Sequence, residues 1–434
     1  MISHGGTVTY AELHGLVERM GASLERHGIR RGHSLAVLGD YSPGTCAMIL
    51  AALARGLIIV PIASAPEAAR AEMLDTAEVM AAASIDAAGD CRVERLRDTP
   101  PRHALMAGLL ARGAPGLVLF SSGSTGRSKA SLLDLDRLTE KLREERPGLC
   151  TLVFLMIDHI GGINTLLHSV ANGGTIVTAS DRSPDAVCSA IAAHRVALLP
   201  TTPTFLNMLL ISGAAERHDL SSLRMITYGT EPMPPSTLAA LHAALPQVRL
   251  KQTYGLTEVG ILPTQSRDSG SLWVKLGGKG FEHRIVGGVL WLRARSAMLG
   301  YLNAPSPFDA EGWFNTQDQV EVDGEYVRIL GRTSEIINVG GEKVFPAEVE
   351  DVLLRMPNVT DVTVSGRPNP VTGAVVAARF TLATPEDLAA LRRRVREFCA
   401  GKLERFKVPA MIEIAEAPQH GARFKKLRAA GAVA

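Results

Sequence analysis

Residues 121–129 read SSGSTGRSK, and residues 116–120 before them read GLVLF. An apolar run with the look of a buried strand therefore ends in small hydroxyl residues, glycines, an Arg and a Lys. Gly123 and Gly126 let the backbone turn tightly and approach a ligand closely. The N–H groups exposed in such a turn, with the hydroxyls of Ser121, Ser122, Ser124 and Thr125, make a cradle for phosphate oxygens. Lys129 and Arg127 add positive charge at its mouth. The stretch is not a P-loop, which sets Lys directly after its last Gly and a hydroxyl residue after that Lys. Here Arg127 follows Gly126, and Ala130 follows Lys129. Flanking apolar runs also argue against a flexible Ser/Gly linker.

On both sides the chain alternates short apolar runs with helical periodicity. Thr9 and Glu12 have capping-box spacing, and Leu13, Leu16, Val17, Met20 and Leu24 continue at helical intervals to about His27. Strands are expected at 34–38, 57–62, 176–178 and 197–199, with a helix starting at Pro43. This layout predicts an α/β fold with helices covering mostly parallel sheets. After about Gly280 the texture changes to paired strands, 284–286 with 289–293 around Gly287 and Gly288. Beyond Arg332 a helix is expected over 344–356, strands over 361–366, 374–382 and 411–415, and a charged helix over 388–405. The expected organisation is a large N-terminal domain, 1–332, carrying a small strand-rich subdomain, and a small α+β C-terminal domain, 333–434.

Composition narrows the function. The 434 residues carry 46 Lys and Arg against 44 Asp and Glu, so no broad basic field for nucleic acid is present. The five cysteines are scattered, which argues against a disulfide framework or a zinc site and suits the cytoplasm. The apolar run 48–65 is broken by Arg55, Gly56 and Pro61, so no membrane span is expected.

A second block, KQTYGLTEVG at 251–260, together with SSGSTGRSK resembles the adenylate-forming enzymes: acyl- and aryl-CoA synthetases, peptide-synthetase adenylation domains and luciferases. Further blocks follow in the family's order: YGTEP at 228–232, GWFNTQD at 312–318, LGRTSEIINVGGE at 330–342, FPAEVE at 345–350 and FKVP at 406–409. The resemblance covers nearly the whole chain, from about Thr9 to Arg428, although the chain is short for this family. The N-terminal arm and the regions 62–115 and 259–280 look trimmed.

The resemblance implies ATP- and Mg²⁺-dependent activation of a fatty or aromatic acid to an acyl adenylate, then transfer to a thiol. The acceptor thiol is coenzyme A or the phosphopantetheine of an acyl or aryl carrier protein. Amide formation and a degenerate, non-catalytic nucleotide binder are the alternatives. Residue by residue, the resemblance places the β- and γ-phosphates on Ser121–Lys129 and the adenine on Tyr254, Gly255 and the loop of Gly229, Thr230, Glu231 and Pro232. Thr257 meets the α-phosphate, Glu258 holds Mg²⁺, and Asp318 and Arg332 hold the ribose. His159, in MIDHIGG, stands beside the acid's carboxylate; its neighbour Asp158 reads as a helix N-cap or as an anchor for an ammonium group. Lys425 is the expected catalytic lysine, with Lys426 as the alternative, on a mobile C-terminal domain. Ser334 is the expected hinge, and Gly340 and Gly341 line the thiol channel. The family's usual glycines before Asp318 and before Lys425 are replaced here by Gln317 and Phe424.

Overall fold

In the computed structural model, which describes residues 1–3, 5–86, 90–122 and 128–428, the apolar runs SLAVL and IIVPI form the strands Ser34–Leu38 and Ile58–Ile62. They read as nearly unbroken hydrophobic segments because both of their faces are covered. They pair in parallel with each other, with Ala81–Ile85 and with Gly116–Ser122. Cys91–Arg95 closes one edge of this seven-stranded sheet; the antiparallel strands Ser128–Asp134 and Gly300–Tyr301 close the other. Ser121 and Ser122 thus end one strand, and Ser128 and Lys129 begin its antiparallel partner.

A second seven-stranded sheet carries five parallel strands in the order Arg249–Gln252, Met225–Tyr228, Leu198–Thr201, Cys150–Leu152, Thr175–Val177, completed by the short hairpin Ile2–Ser3 and Gly6–Thr7. Three helices link the two sheets. Tyr10–Arg26 begins with the expected capping box, and Pro43–Ala54 has Ser42 as N-cap and Pro at its first turn. With Ile160–Ala171 they supply Met20, Leu24, Met48, Ile163 and Leu166 to one core shared with Leu35 and Leu117 of the first sheet and Ile176 of the second. A six-stranded antiparallel sheet follows, running from Thr264–Ser266 to Tyr326–Arg332 in sequence. It contains the expected hairpin as Phe281–Val286 and Val289–Ala294.

After the 3₁₀ turn Thr333–Glu335 a five-stranded sheet and the helices Pro346–Leu353 and Leu388–Cys399 enclose a separate core around Val349, Leu353, Phe380, Leu391 and Val395. Two helices are shorter than expected. Val344 belongs to the strand Glu342–Val344, so the helix starts at Pro346, where the missing N–H costs nothing. The helix expected to reach residue 405 stops at Cys399 and is followed by Gly401 at φ 73°. Leu403 and Phe406 then fold back onto the small core. No helix among the described residues is long and apolar enough to cross a membrane.

Candidate active site

The candidate site lies where the parallel strands of the second sheet end at their C-termini, the usual binding edge of an open α/β sheet. Leu198–Thr201 runs into Thr202, and Met225–Tyr228 runs into Gly229, Thr230, Glu231 and Pro232. Gly229 is needed there because a Cβ would stand 2.6 Å from the Thr253 carbonyl oxygen. Thr253 in turn donates to the Tyr228 carbonyl from both its N–H and its hydroxyl, at 2.7 and 3.0 Å. Thr230 takes a positive φ of 76°, and Glu231 accepts from the Thr204 N–H at 2.8 Å. Gly255 lies so close to the strand Gly260–Leu262 that a Cβ would meet the Gly260 carbonyl oxygen at 2.8 Å.

Tyr254, Asp318 and Arg332 form one hydrogen-bonded group. The Tyr254 hydroxyl donates to Asp318 Oδ2, and Arg332 Nε stands 3.4 Å from Oδ1. Asp318 and Arg332 are cross-strand partners, which fixes this pairing. Burial raises the Asp318 carboxyl above its usual range, with Arg332 opposing. Gln317 is exposed with φ 63°, so it keeps the left-handed backbone a glycine would supply. Glu258 accepts from Tyr301 Oη at 2.6 Å through Oε1; no side chain or N–H among the described residues takes Oε2. Lys129 Nζ lies 5.1 Å from the centre of the Tyr301 ring, so this tyrosine bridges Lys129 and Glu258. Ser121 is the cross-strand partner of Lys129, and Thr257 is partly exposed one residue before Glu258.

The C-terminal segment reaches into the same region. Lys425, Phe424, Arg423 and Ala422 line a narrow pocket with His159, Phe154, Met156, Arg182, Thr202 and Thr230. Burial lowers the Lys425 ammonium below the usual lysine value, opposed by Glu231. Burial, with Lys425 and Arg423 nearby, pushes His159 from 6.5 down to about 3, so its imidazole is neutral. His159 Nδ1 accepts from the Gly161 N–H at 3.1 Å, which leaves the proton on Nε2. His159 is therefore the N-cap of helix Ile160–Ala171, where the sequence had suggested Asp158. Asp158 is buried; its Oδ2 pairs with Arg423 at 3.2 Å and accepts from the Ala63 N–H at 3.3 Å. Lys426 points the other way. Its Nζ donates to the Val362 carbonyl at 2.6 Å and pairs with Asp361 and Glu350 at 3.2 and 3.5 Å inside the small lobe. Of the two candidate lysines, only Lys425 lines the pocket of His159.

Other expected residues stand apart. Gly123, Ser124, Thr125, Gly126 and Arg127 lie outside the described residues, as does the side chain of Ser122. Gly340 and Gly341 form the turn of the hairpin Ile337–Val339 and Glu342–Val344, at φ 63° and 97°, and do not line the His159 pocket. Ser334 is exposed in the 3₁₀ turn between the lobes. A larger cavity of about 540 Å³ opens between the lobes beyond residues 424–426, against Glu231, Glu350, Asp361 and Lys426, and includes neither His159 nor Lys425. Sequence reasoning missed Thr202, Tyr301, Phe154 and Arg423. Thr202 and Tyr301 had a local signal, a strand end before Pro203 and a Gly-Tyr step. Phe154 and Arg423 had none, because their partners are remote in sequence.

Residues 1–302 match the AMP-binding enzyme family, and residues 348–423 match the AMP-binding enzyme C-terminal domain. The chain is 30% identical to an indoleacetate–CoA ligase of Aromatoleum aromaticum over 93% of this chain and 89% of that protein. It is 29% identical to a feruloyl-CoA synthase of Amycolatopsis sp. over 96% of this chain and 91% of that protein. Its fold resembles an anthranilate CoA ligase solved in complex with anthranoyl-AMP, with TM-score 0.82 at 20% identity over 98% of this chain and 92% of that one.

Proposed function

Because the chain belongs to the AMP-binding enzyme family, we propose that it activates a carboxylic acid with ATP and passes the acyl group to the thiol of coenzyme A. The observation that carries this reading is the place of Lys425: a cation delivered by the C-terminal segment into a pocket shared with His159 and Thr230. The named relatives act on aryl acids, which favours an aromatic acid among the fatty and aromatic candidates.

In the first half-reaction a carboxylate oxygen attacks the α-phosphorus, and the bond from that phosphorus to the pyrophosphate oxygen breaks. Two anions approach each other, so positive charge and donors must be in place beforehand. Lys425 supplies charge where the carboxylate and α-phosphate meet, and the neutral His159 offers its Nε2–H to the acid. Asp318 and Arg332 hold the ribose hydroxyls, the Gly229–Pro232 loop and Tyr254 hold the adenine, and Thr257 donates to the α-phosphate. Ser121 and Lys129 belong to the proposed site for the outer phosphates. Mg²⁺ is a hard cation that takes oxygen ligands, and the unengaged Oε2 of Glu258 fits it. Bound there, it would neutralise phosphate charge. In the second half-reaction the thiol sulfur attacks the acyl carbon and AMP leaves. That step assigns Gly340 and Gly341 to the thiol channel and Ser334 to the hinge, with the domain boundary at 332/333. A carrier-protein phosphopantetheine is the alternative thiol. Five free cysteines fit the cytoplasmic setting we assign.

The test is ATP–pyrophosphate exchange over a panel of aryl and fatty acids, followed by product mass with coenzyme A. Exchange with at least one acid and a thioester product are expected. ATP binding without exchange for any acid overturns the reading, and an amide product from added amines replaces the acceptor.

A further inference from the structure

We infer that Phe424 and the Asp158–Arg423 ion pair form a latch that seats Lys425 for adenylation; this rests on the function proposed above. Lys425 is held by its neighbours on both sides. Arg423 Nη2 reaches the buried Asp158 carboxylate at 3.2 Å, and the Thr202 hydroxyl donates to the Phe424 carbonyl at 2.9 Å. The Phe424 ring lies 5.0 Å from Phe154 and 5.9 Å from Phe205, centre to centre, and stacks on His420 at 5.0 Å. On the other side the Lys426 N–H donates to Glu231 at 3.3 Å while its side chain stays in the small lobe.

Phe424 adopts φ 51°, a left-handed conformation that disfavours any residue with a Cβ. Glycine would hold that backbone without strain. A phenylalanine there gains only through its ring, which is partly buried against the large lobe. Phe424 and Lys425 line the same narrow pocket, so the seat of one fixes the place of the other. The anchoring contacts of Arg423 and Phe424 to Asp158, Thr202, Phe154 and Phe205 all cross between the C-terminal segment and the large lobe. They are lost together if the segment withdraws.

The test compares the full-length protein with Phe424→Gly and Asp158→Asn. Pyrophosphate exchange reports the first half-reaction; thioester formation from chemically prepared acyl adenylate reports the second. Each variant is expected to shift the ratio of the two rates at least tenfold toward thioester formation, while Phe424→Leu, which keeps an apolar plug, retains the wild-type ratio. A ratio unchanged within twofold in both variants overturns the latch, since a merely structural residue lowers both steps alike. Amide hydrogen exchange over residues 421–428, without substrates, is expected to quicken at least tenfold in both variants. Unchanged exchange overturns the latch even if no acid is ever activated. Quickened exchange in a protein whose wild type activates no acid leaves the latch standing and removes the catalytic reading alone.

Discussion

One backbone step sends two adjacent lysines into different surroundings. Lys425 faces His159, whereas Lys426 is only 8% exposed and pairs with Glu350 and Asp361. Lys425→Ala is expected to lower pyrophosphate exchange by about 10²–10³-fold, the scale of losing one charge-stabilising donor, with ATP affinity measured by calorimetry nearly unchanged. Lys426→Ala instead strips a partner from the buried Glu350 carboxylate and from the half-buried Asp361, and is expected to lower the unfolding midpoint. An exchange defect without lost stability in Lys426→Ala would exchange the two roles. His159 gives a pH signature. Its folded value of about 3 lies below its ordinary 6.5, so the unfolded chain binds the extra proton and stability falls as pH drops through that window. In urea titrations from pH 7 to pH 4, His159→Gln is expected to flatten this part of the decline.

Individual elements are positioned by glycine where space is short and by left-handed backbone where glycine is absent. Helix Ile160–Ala171 crosses its own lead-in so closely that a Cβ on Gly162 would stand 2.0 Å from the Met156 carbonyl oxygen. Gly162→Ala is therefore expected to destabilise by about 1–3 kcal/mol in denaturant unfolding and to displace His159 at the helix start. Gln317 is the opposite case: exposed, with φ 63° and no packed side chain to lose. Gln317→Gly is expected to leave exchange activity intact and to change stability by less than about 1 kcal/mol, because relieved strain is set against the greater freedom of an unfolded glycine. A large loss of nucleotide affinity in this variant would show that the Gln317 side chain takes part in binding.

Across the whole molecule, the small lobe is tied to the C-terminal segment through Glu350, which pairs with Lys426 and Arg428. Burial favours its neutral form, but Arg428 at 2.9 Å and Lys426 outweigh it and hold the carboxyl at about 2, below the usual 4.5. The stabilisation is present above about pH 4.5 and is lost as pH falls toward 2. Glu350→Gln removes the shared partner of two cations and leaves Lys426 with Asp361 and Arg428 with Glu335; we expect a loss of about 1–3 kcal/mol at pH 7 and no further drop through that acid window, read by denaturant titration. An acid profile identical to wild type would remove Glu350 from this role.

Much of this was written locally. Unbroken apolar runs gave buried strands, the Thr9–Glu12 spacing gave a capped helix, and SSGSTGRSK, YGLTE and GWFNTQD pointed to the family, because each depends on residues a few positions apart. Tertiary structure alone decided which lysine enters the site, why a phenylalanine occupies a glycine-like backbone, and that Asp158 answers to Arg423 rather than capping a helix. Those outcomes depend on contacts between residues more than two hundred positions apart, 265 for Asp158 and Arg423, and no local pattern records which distant groups burial will bring together.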